Sequence, residues 1–448
     1  MTRNGPFAPE ELSRVGREAA RLAWRDGMSV RKPDGSVVPI PLLAEPEVYT
    51  REELAFAAEE AGAILSGAVK LARALLARGE PRDRDALIGP FEGLEAEAMG
   101  KLFSEAPCPA VVSRVDFLVP EGGGHPRALE LNATIPAMPA YADLAAHSWI
   151  RAAARERGMS PREERDLIAR CGSHMEALRR TLVAFYAGRG GTKARPSIAL
   201  VARPGDAQIG ELRRLAEHFR EMGHEAHNVL PAEAEPERFD LLYRHVWAHN
   251  TPPDSPFAKA LLSPARHVLA NPVNGLLEAK ALFARLSETA EDPSLAEAAG
   301  LDERERRAAQ RLPWTRLHSG VLVDRLLEER ERFVLKRSWD YGGKSVYLGA
   351  EMAPEVWEGV VREAARDTRG GGFVAQERIF AARRPATRVT PEGVSPGELY
   401  RDLSTYAGLL PTHPTGSVVR AAASPIVNIL GGGGLAPLLP DDVFARFI

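Results

Sequence analysis

Lys336 and Lys344 flank a pair of glycines in the run KRSWDYGGKS, and that grouping suits one chemistry, the holding of phosphate. Gly342 and Gly343 let the backbone turn sharply and leave its N–H groups uncovered. The residues from Asp340 through Tyr341 to Ser345 then read as a tight loop between two short apolar runs. Lysine is scarce in this chain, with eight against fifty arginines, so two of them in nine residues concentrate a rare cation. An ordinary hairpin with solvated lysines is the alternative if the glycine pair is taken alone.

A second group is rich in oxygen. Asp116 sits in AVVSRVDFLV, and Glu130 and Asn132 sit two apart in RALELN, on one face of an expected strand. Carboxylate and amide oxygens suit a hard cation such as Mg2+, which shares its remaining positions with nucleotide phosphates. A polar strand face in solvent is the alternative. Arg114 and Arg420 are the candidate anion clamps, because a planar guanidinium fork matches carboxylate and phosphate oxygens. In an arginine-rich chain either is equally a surface residue. Lys280 lies in a helical pattern, where an exposed lysine is the default. Glu377, at the end of the apolar run FVAQERI, stands at a strand-to-loop transition of the kind that meets an adenine edge. His245 and His249 have the spacing of metal ligands on a helix, but LLYRHVWAH reads as a strand entering a loop, so they are expected to be ordinary hydrogen-bonded histidines. No HExxH glutamate, no GxSxG elbow and no recognisable cysteine nucleophile motif is present.

These residues need elements to carry them. Apolar residues recur every three or four positions over 51–78, and helices are also expected at 92–104, 142–186, 209–222, 276–287, 295–310 and 354–366. Strands are expected at 110–119 and 127–132, joined as a hairpin across the glycine turn at 121–126. Further strands are expected at 197–201, 225–229, 239–246, 333–335, 346–348, 373–379, 417–420 and 425–430. Residues 1–45 read as mixed, and the Arg-, Pro- and Gly-rich stretch 381–400 as a loop able to act as a lid. Strand–helix–strand alternation over 196–272 indicates a small open α/β unit, without the GxGxxG of a dinucleotide site.

Composition narrows the class. A chain of 448 residues exceeds one ordinary core, so two or three domains are expected. Hydrophobic content of 44%, charged content of 27% and a net charge of −3 describe a soluble protein with no call for nucleic acid or an anionic membrane as partner. Two cysteines, Cys108 and Cys171, give no disulfide framework, and no apolar stretch is of signal or membrane-spanning type. A cytoplasmic location is the expectation, with a homodimer as the default assembly.

Together these pieces resemble the ATP-grasp superfamily. RVDFLV followed by ALELNATIPAM is similar to the end of a D-alanine–D-alanine-ligase-type grasp domain, where an RxD strand precedes an ExN strand. FVLKRSWDYGGKSV is similar to the phosphate-covering hairpin, VAQERI to the adenine hinge, and SVVRAAASPIVNILGGGG to the later core strands. The usual order is altered, because the RxD…ExN segment precedes the hairpin by about two hundred residues, as in the circularly permuted group that includes glutathionylspermidine-synthetase-like proteins. The resemblance implies a fold of α/β and α+β class: a circularly permuted ATP-grasp fold with an open α/β pre-ATP-grasp domain and additional N-terminal helices. Its divisions would be an N-terminal helical region (1–104), a metal-binding hairpin of the core (105–145), a helical linker (146–195), the pre-ATP-grasp domain (196–272), and nucleotide-binding and core segments (273–448).

For the site, the resemblance implies that Asp116, Glu130 and Asn132 hold Mg2+, as two ions, with Mn2+ as the substitute. Lys280, Lys336, Tyr341, Gly342, Gly343 and Lys344 would lie on the ATP phosphates. Gln376, Glu377, Arg378 and Ile379 would lie at the adenine, and Asn428 near the reacting centre. Arg114 and Arg420 would meet the transferring phosphoryl group and the acyl-phosphate. The implied activity is that of a carboxylate–amine ligase acting on a small-molecule or peptide carboxylate and an amine acceptor. An ATP-grasp kinase, or a nucleotide-binding regulatory or scaffold protein without turnover, is the alternative.

Overall fold

The structure is a computed structural model and describes residues 7–103, 108–264, 266–340, 343–412, 415–429 and 431–448. Its largest element is a seven-stranded sheet. The strand order is Arg384–Thr390, Leu42–Leu43, Gly434–Ala436, Ser417–Ala422, Gly393–Ala407, Ser113–Leu118 and Arg127–Asn132. Segments far apart in the chain therefore share one hydrogen-bonded layer. The register sets Asp402 opposite Arg420, Ser404 opposite Asp116, and Asp116 opposite Glu130, with an irregularity after Asp116. Period-two alternation sorts the two faces. Val115, Phe117, Leu403, Val419 and Ala421 enter one core with the helix Arg51–Arg78. Tyr406, Val418 and Leu435 enter the other core, with the helices Pro9–Arg25 and Pro139–Glu156. By the same alternation Arg114, Asp116, Asp402 and Arg420 lie on this second face.

The helix Arg51–Arg78 starts where Thr50 and Glu53 form a capping box and stops at Gly79, whose φ of 69° closes the C-terminus. Its buried Ile64, Leu65, Leu71 and Leu75 each contribute about 1.5–3 kcal/mol by leaving water. Pro139–Glu156 is buried along most of its length, and Trp149 within it donates its indole N–H to the Ala44 carbonyl at 2.8 Å.

Two smaller sheets complete the frame. Leu269–Ala270, Leu241–His245, Ile198–Ala202 and Ala226–Val229 lie side by side in that order, all parallel, with the helix Ile209–Glu221 as a crossover. Thr315–Leu317, Phe373–Glu377, Phe333–Arg337 and Val346–Leu348 form an antiparallel sheet. Among the described residues no helix is long and apolar enough to cross a membrane.

Several expected elements are corrected. Residues 425–429 do not form a strand, and Leu430 lies outside the described residues. Pro425 has no N–H to give a ladder, and turns close from Gly432 N–H to Ile429 O and from Gly433 N–H to Asn428 O, so the strand begins only at Gly434. Residues 381–400 are not a free lid, because Arg384–Thr390 and Gly393–Ala407 pair as an antiparallel hairpin within the large sheet. The mixed region 1–45 contains the helix Pro9–Arg25, whose charged residues lie on the outer face of an amphipathic pattern. Residues 142–186 divide into three helices, Pro139–Glu156, Pro161–Cys171 and His174–Gly188. Lys280 opens the helix Lys280–Glu288 rather than lying within a longer one, since Gly275–Glu278 is a separate 3-10 turn. The expected helix at 295–310 is split into Pro293–Ala298 and Glu303–Arg311 by Gly300, at φ 65°. The expected helix at 92–104 is present as Gly93–Leu102, and residues 104–107 fall outside the described residues.

Candidate functional site

The antiparallel sheet faces the edge of the large sheet across a cleft of ≈ 240 Å³, whose walls combine Arg114, Asp116, Glu130, Asn132, Lys280, Lys336 and Arg420. Alternation explains how the Phe333–Arg337 strand serves it. Phe333 and Leu335 enter the core with Trp357, while Val334 and Lys336 face the cleft. Lys336 donates to Gln376 Oε1 at 2.7 Å and lies 3.5 Å from the Leu129 carbonyl. Gln376 in turn donates to that carbonyl (3.3 Å) and to Thr315 Oγ1 (3.1 Å). Leu129, one residue before Glu130, is thus where the two sheets are tied. Burial pulls the Lys336 ammonium down to about 8. Glu130 opposes that fall and Lys280 adds to it.

Lys280 is held by its helix start. Its N–H donates to Ser338 O at 2.9 Å, its Nζ to Asp340 O at 2.9 Å, and Nζ stands 3.7 Å from Glu130 Oε2. Gly343, at φ 75°, abuts the opposite wall so closely that a Cβ there would meet Ile426 at 2.7 Å. Lys344 also lines the cleft. Tyr341 and Gly342 lie outside the described residues. Glu377, Arg378 and Ile379 line the far end. Glu377 is 3.6 Å from both Arg127 and Arg332, and Arg378 pairs with Glu351 at 2.9 Å while its N–H donates to Arg332 O.

On the large sheet a buried ionic quartet forms the floor. Arg114 grips Asp116 with two bonds, Nε to Oδ1 at 2.7 Å and Nη2 to Oδ2 at 3.0 Å. Arg420 reaches Asp116 Oδ2 at 2.8 Å and pairs with Asp402 through both Nε and Nη2. Asp116 is 1% exposed and Asp402 3%. Burial pushes the Asp116 carboxyl up, yet Arg114 and Arg420 overcome it and hold the group well below the usual carboxylate range. For Asp402 burial wins over Arg420, and repulsion from Asp116 adds to it, so that carboxyl is raised. Burial disfavours the charged Arg420 guanidinium, but the two carboxylates outweigh this and hold it protonated.

Those contacts decide what could hold a metal. Both oxygens of Asp116 are taken by guanidinium groups, and Asn132 donates its amide to Oδ2 at 3.2 Å. Glu130 is the open carboxylate, about a third exposed, 3.7 Å from the Lys280 ammonium and within the field of Lys336. Among the described residues no group of three His, Cys, Asp or Glu could form a metal cage. The open Glu130 carboxylate and the Asn132 amide oxygen fit a Mg2+ ion that draws its other ligands from phosphates and water, with Asp116 able to join only where an arginine gives up one of its oxygens.

Sequence reading missed Asp402 and Tyr400, which line the cleft but lie in or beside the stretch taken for a loop. It also missed Glu278, two residues before Lys280, whose Oε1 accepts the N–H groups of Ala133 and Thr134 and anchors the turn after Asn132. A second cavity of ≈ 260 Å³ adjoins the cleft. The two share Arg114, Arg420 and Asn428, and Arg203, Asp206, His245 and Trp247 are among the second cavity's other walls. The expected pairing of both histidines holds for one of them. His249 Nδ1 meets Glu95 Oε2 at 3.1 Å, but among the described residues neither ring nitrogen of His245 finds a hydrogen-bond partner. The strand carrying His245 ends there, and Asp206 Oδ2 stands 4.0 Å from its Nδ1, too far for a hydrogen bond.

No protein-family model and no curated protein matches the chain. Among the solved structures that match is a glutathione synthetase-like effector from Globodera pallida in its apo form. It is 14% identical, superposes with a TM-score of 0.56, and the match covers 97% of this chain and 98% of that one. The mixed α/β architecture of this chain is therefore similar, over nearly its whole length, to that of a glutathione synthetase-like protein.

Proposed function

We propose that the chain is an ATP-dependent carboxylate–amine ligase built on a circularly permuted ATP-grasp fold. The observation that supports the reading is the meeting of two distant segments in one cleft. Lys280 and Lys336 come from one side and Asp116, Glu130 and Arg420 from the other, with Lys280 and Glu130 3.7 Å apart. ATP phosphates would lie on Lys280, Lys336 and the loop containing Gly343 and Lys344. The adenine would lie toward Gln376–Ile379. Glu130, Asn132 and Asp116 would hold Mg2+, which would neutralise phosphate charge when bound.

In this reading a substrate carboxylate oxygen attacks the γ-phosphorus, the bond to the β-phosphate oxygen breaks, and ADP leaves. The amine nitrogen then forms its bond to the acyl carbon as the carbon–oxygen bond to phosphate breaks. Phosphate departs with the electron pair and the nitrogen sheds its proton to solvent. Arg114 and Arg420 supply fixed positive charge where the acyl-phosphate forms, already oriented by Asp116 and Asp402 and so in no need of reorganisation. An ATP-consuming enzyme with two free cysteines suits the reducing cytoplasm.

The test is ADP release from ATP and Mg2+ across a matrix of carboxylates and amines. Release that requires both partners supports the ligase. Release with a hydroxyl or phosphate acceptor alone would replace it with a kinase, and tight ATP binding without release under any pair would replace it with a non-catalytic module.

A further inference from the structure

The cavity beside the cleft has chemistry that the nucleotide does not use. It lies where the parallel strands Ile198–Ala202 and Leu241–His245 end, the edge at which open α/β sheets take ligands. His245 is 2% exposed, and among the described residues neither ring nitrogen has a hydrogen-bond partner. Leaving a buried polar group unpaired is costly, and a ligand able to pair it would offset that cost. Asp206 is buried beside it. Its Oδ1 accepts the Gln208 N–H at 2.8 Å, while Oδ2 stands 4.0 Å from His245 Nδ1 and 3.7 Å from Arg203 Nε, beyond hydrogen-bond reach of both. Burial keeps the imidazole below its ordinary range and so neutral, which leaves one ring nitrogen as an acceptor. With its proton on Nε2, His245 turns the Nδ1 lone pair toward Asp206 Oδ2 across 4.0 Å, and the group that satisfies two acceptors so placed is an ammonium, which would displace the Arg203 guanidinium as the partner of that carboxylate.

We propose that this cavity is the amine site of the ligase inferred above, taking a primary amine as its ammonium between Asp206 Oδ2 and a ring nitrogen of His245. The neutral imidazole accepts the proton that the nitrogen must lose before it attacks. Arg114 and Arg420 on the shared wall separate it from the nucleotide. The assignment rests on the ligase reading for its role, but its chemistry is testable alone.

The experiment titrates the full chain with n-butylamine, with butyrate as the isosteric anion, and separately with ADP and Mg2+. Ring-nitrogen NMR follows His245. Saturable movement of the His245 signals by butylamine and not by butyrate is expected. Asp206→Asn, which keeps the oxygen that Gln208 uses, should weaken the amine roughly tenfold, as should His245→Phe, with ADP affinity unchanged. Equal amine affinity in Asp206→Asn and the wild type, or still His245 signals in the wild type, overturns the site whatever His245→Phe does. Preference for butyrate overturns it also and makes the cavity the carboxylate site. Amine binding that depends on Asp206 in a chain that binds no nucleotide supports the ammonium site and removes the ligase reading instead.

Discussion

Replacing Arg420 by methionine isolates the energetics of the buried quartet. The substitution keeps much of the side chain's apolar length but removes the guanidinium that bridges Asp116 and Asp402. Asp116 retains both bonds from Arg114, so its loss is partial. Asp402, 3% exposed, loses its directly bonded cation and keeps the residue-420 backbone N–H and the more distant field of Arg114. Breaking one side of a buried pair costs about 3–5 kcal/mol, because the surviving charge stays desolvated. The pH dependence follows from the same groups. The Asp402 carboxyl is already raised by burial, and without Arg420 it rises further above its unfolded value. A raised carboxyl binds its proton more tightly in the folded state, so the deficit is largest at neutral pH and above and shrinks as pH falls and Asp402 is neutralised. Urea unfolding of wild type and Arg420→Met at several pH values between about 5 and 8 measures this, and adding Asp402→Asn to the variant should recover roughly half the loss. A variant within about 1 kcal/mol of wild type at every pH, or an Asp402→Asn change that deepens the loss, would refute the argument that the quartet is held by mutual charge.

Other outcomes follow from the same geometry. Lys336, held at about 8, is partly unprotonated in mildly alkaline solution. Because its folded pKa lies below the unfolded value, stability rises with pH between about 8 and 10.4, where the unfolded chain binds more protons. Phosphates arriving beside it would restore the charge, so calorimetry of ADP with Mg2+ near pH 8, in buffers of different ionisation enthalpy, should show uptake of roughly half a proton that Lys336→Met abolishes. Gly343→Ala places a Cβ against Ile426 at φ 75° and should cost about 1 kcal/mol or more, with weaker ADP binding in the same titration. Thr50→Ala removes the cap of the Arg51–Arg78 helix and should lower stability by about 1 kcal/mol in urea, with nucleotide affinity unchanged.

The cleft was legible because strand alternation is a strong local signal. Lys336 shares a face with Val334, and Glu130 sits two residues from Asn132, so spacing alone aims these side chains together once their strands exist. The strand at Gly393–Ala407 was hidden because Pro396, Gly397 and neighbouring charged residues mask its alternation until LSTYA, and Asp402 went with it. Pairing across the sheet was beyond spacing altogether. That Asp116 is gripped by two arginines while Glu130 stands open depends on registers between segments about three hundred residues apart. Spacing likewise could not tell His249, which meets Glu95, from His245, whose ring nitrogens find no hydrogen-bond partner among the described residues. The first helix escaped notice because its apolar face is short and interrupted by arginine and glutamate.

The interleaving of early and late strands in the large sheet governs how the protein can be made. Residues 113–132 reach their neighbours only when residues 393–422 have emerged from the ribosome, and pairings of such separation fold slowly. The parallel sheet, closed within residues 198–270, can assemble while synthesis continues. The strand Ser113–Leu118 must wait meanwhile with an open edge, so a chaperone that shields such edges, or faster translation of the residues between 118 and 407, should raise the yield of active protein.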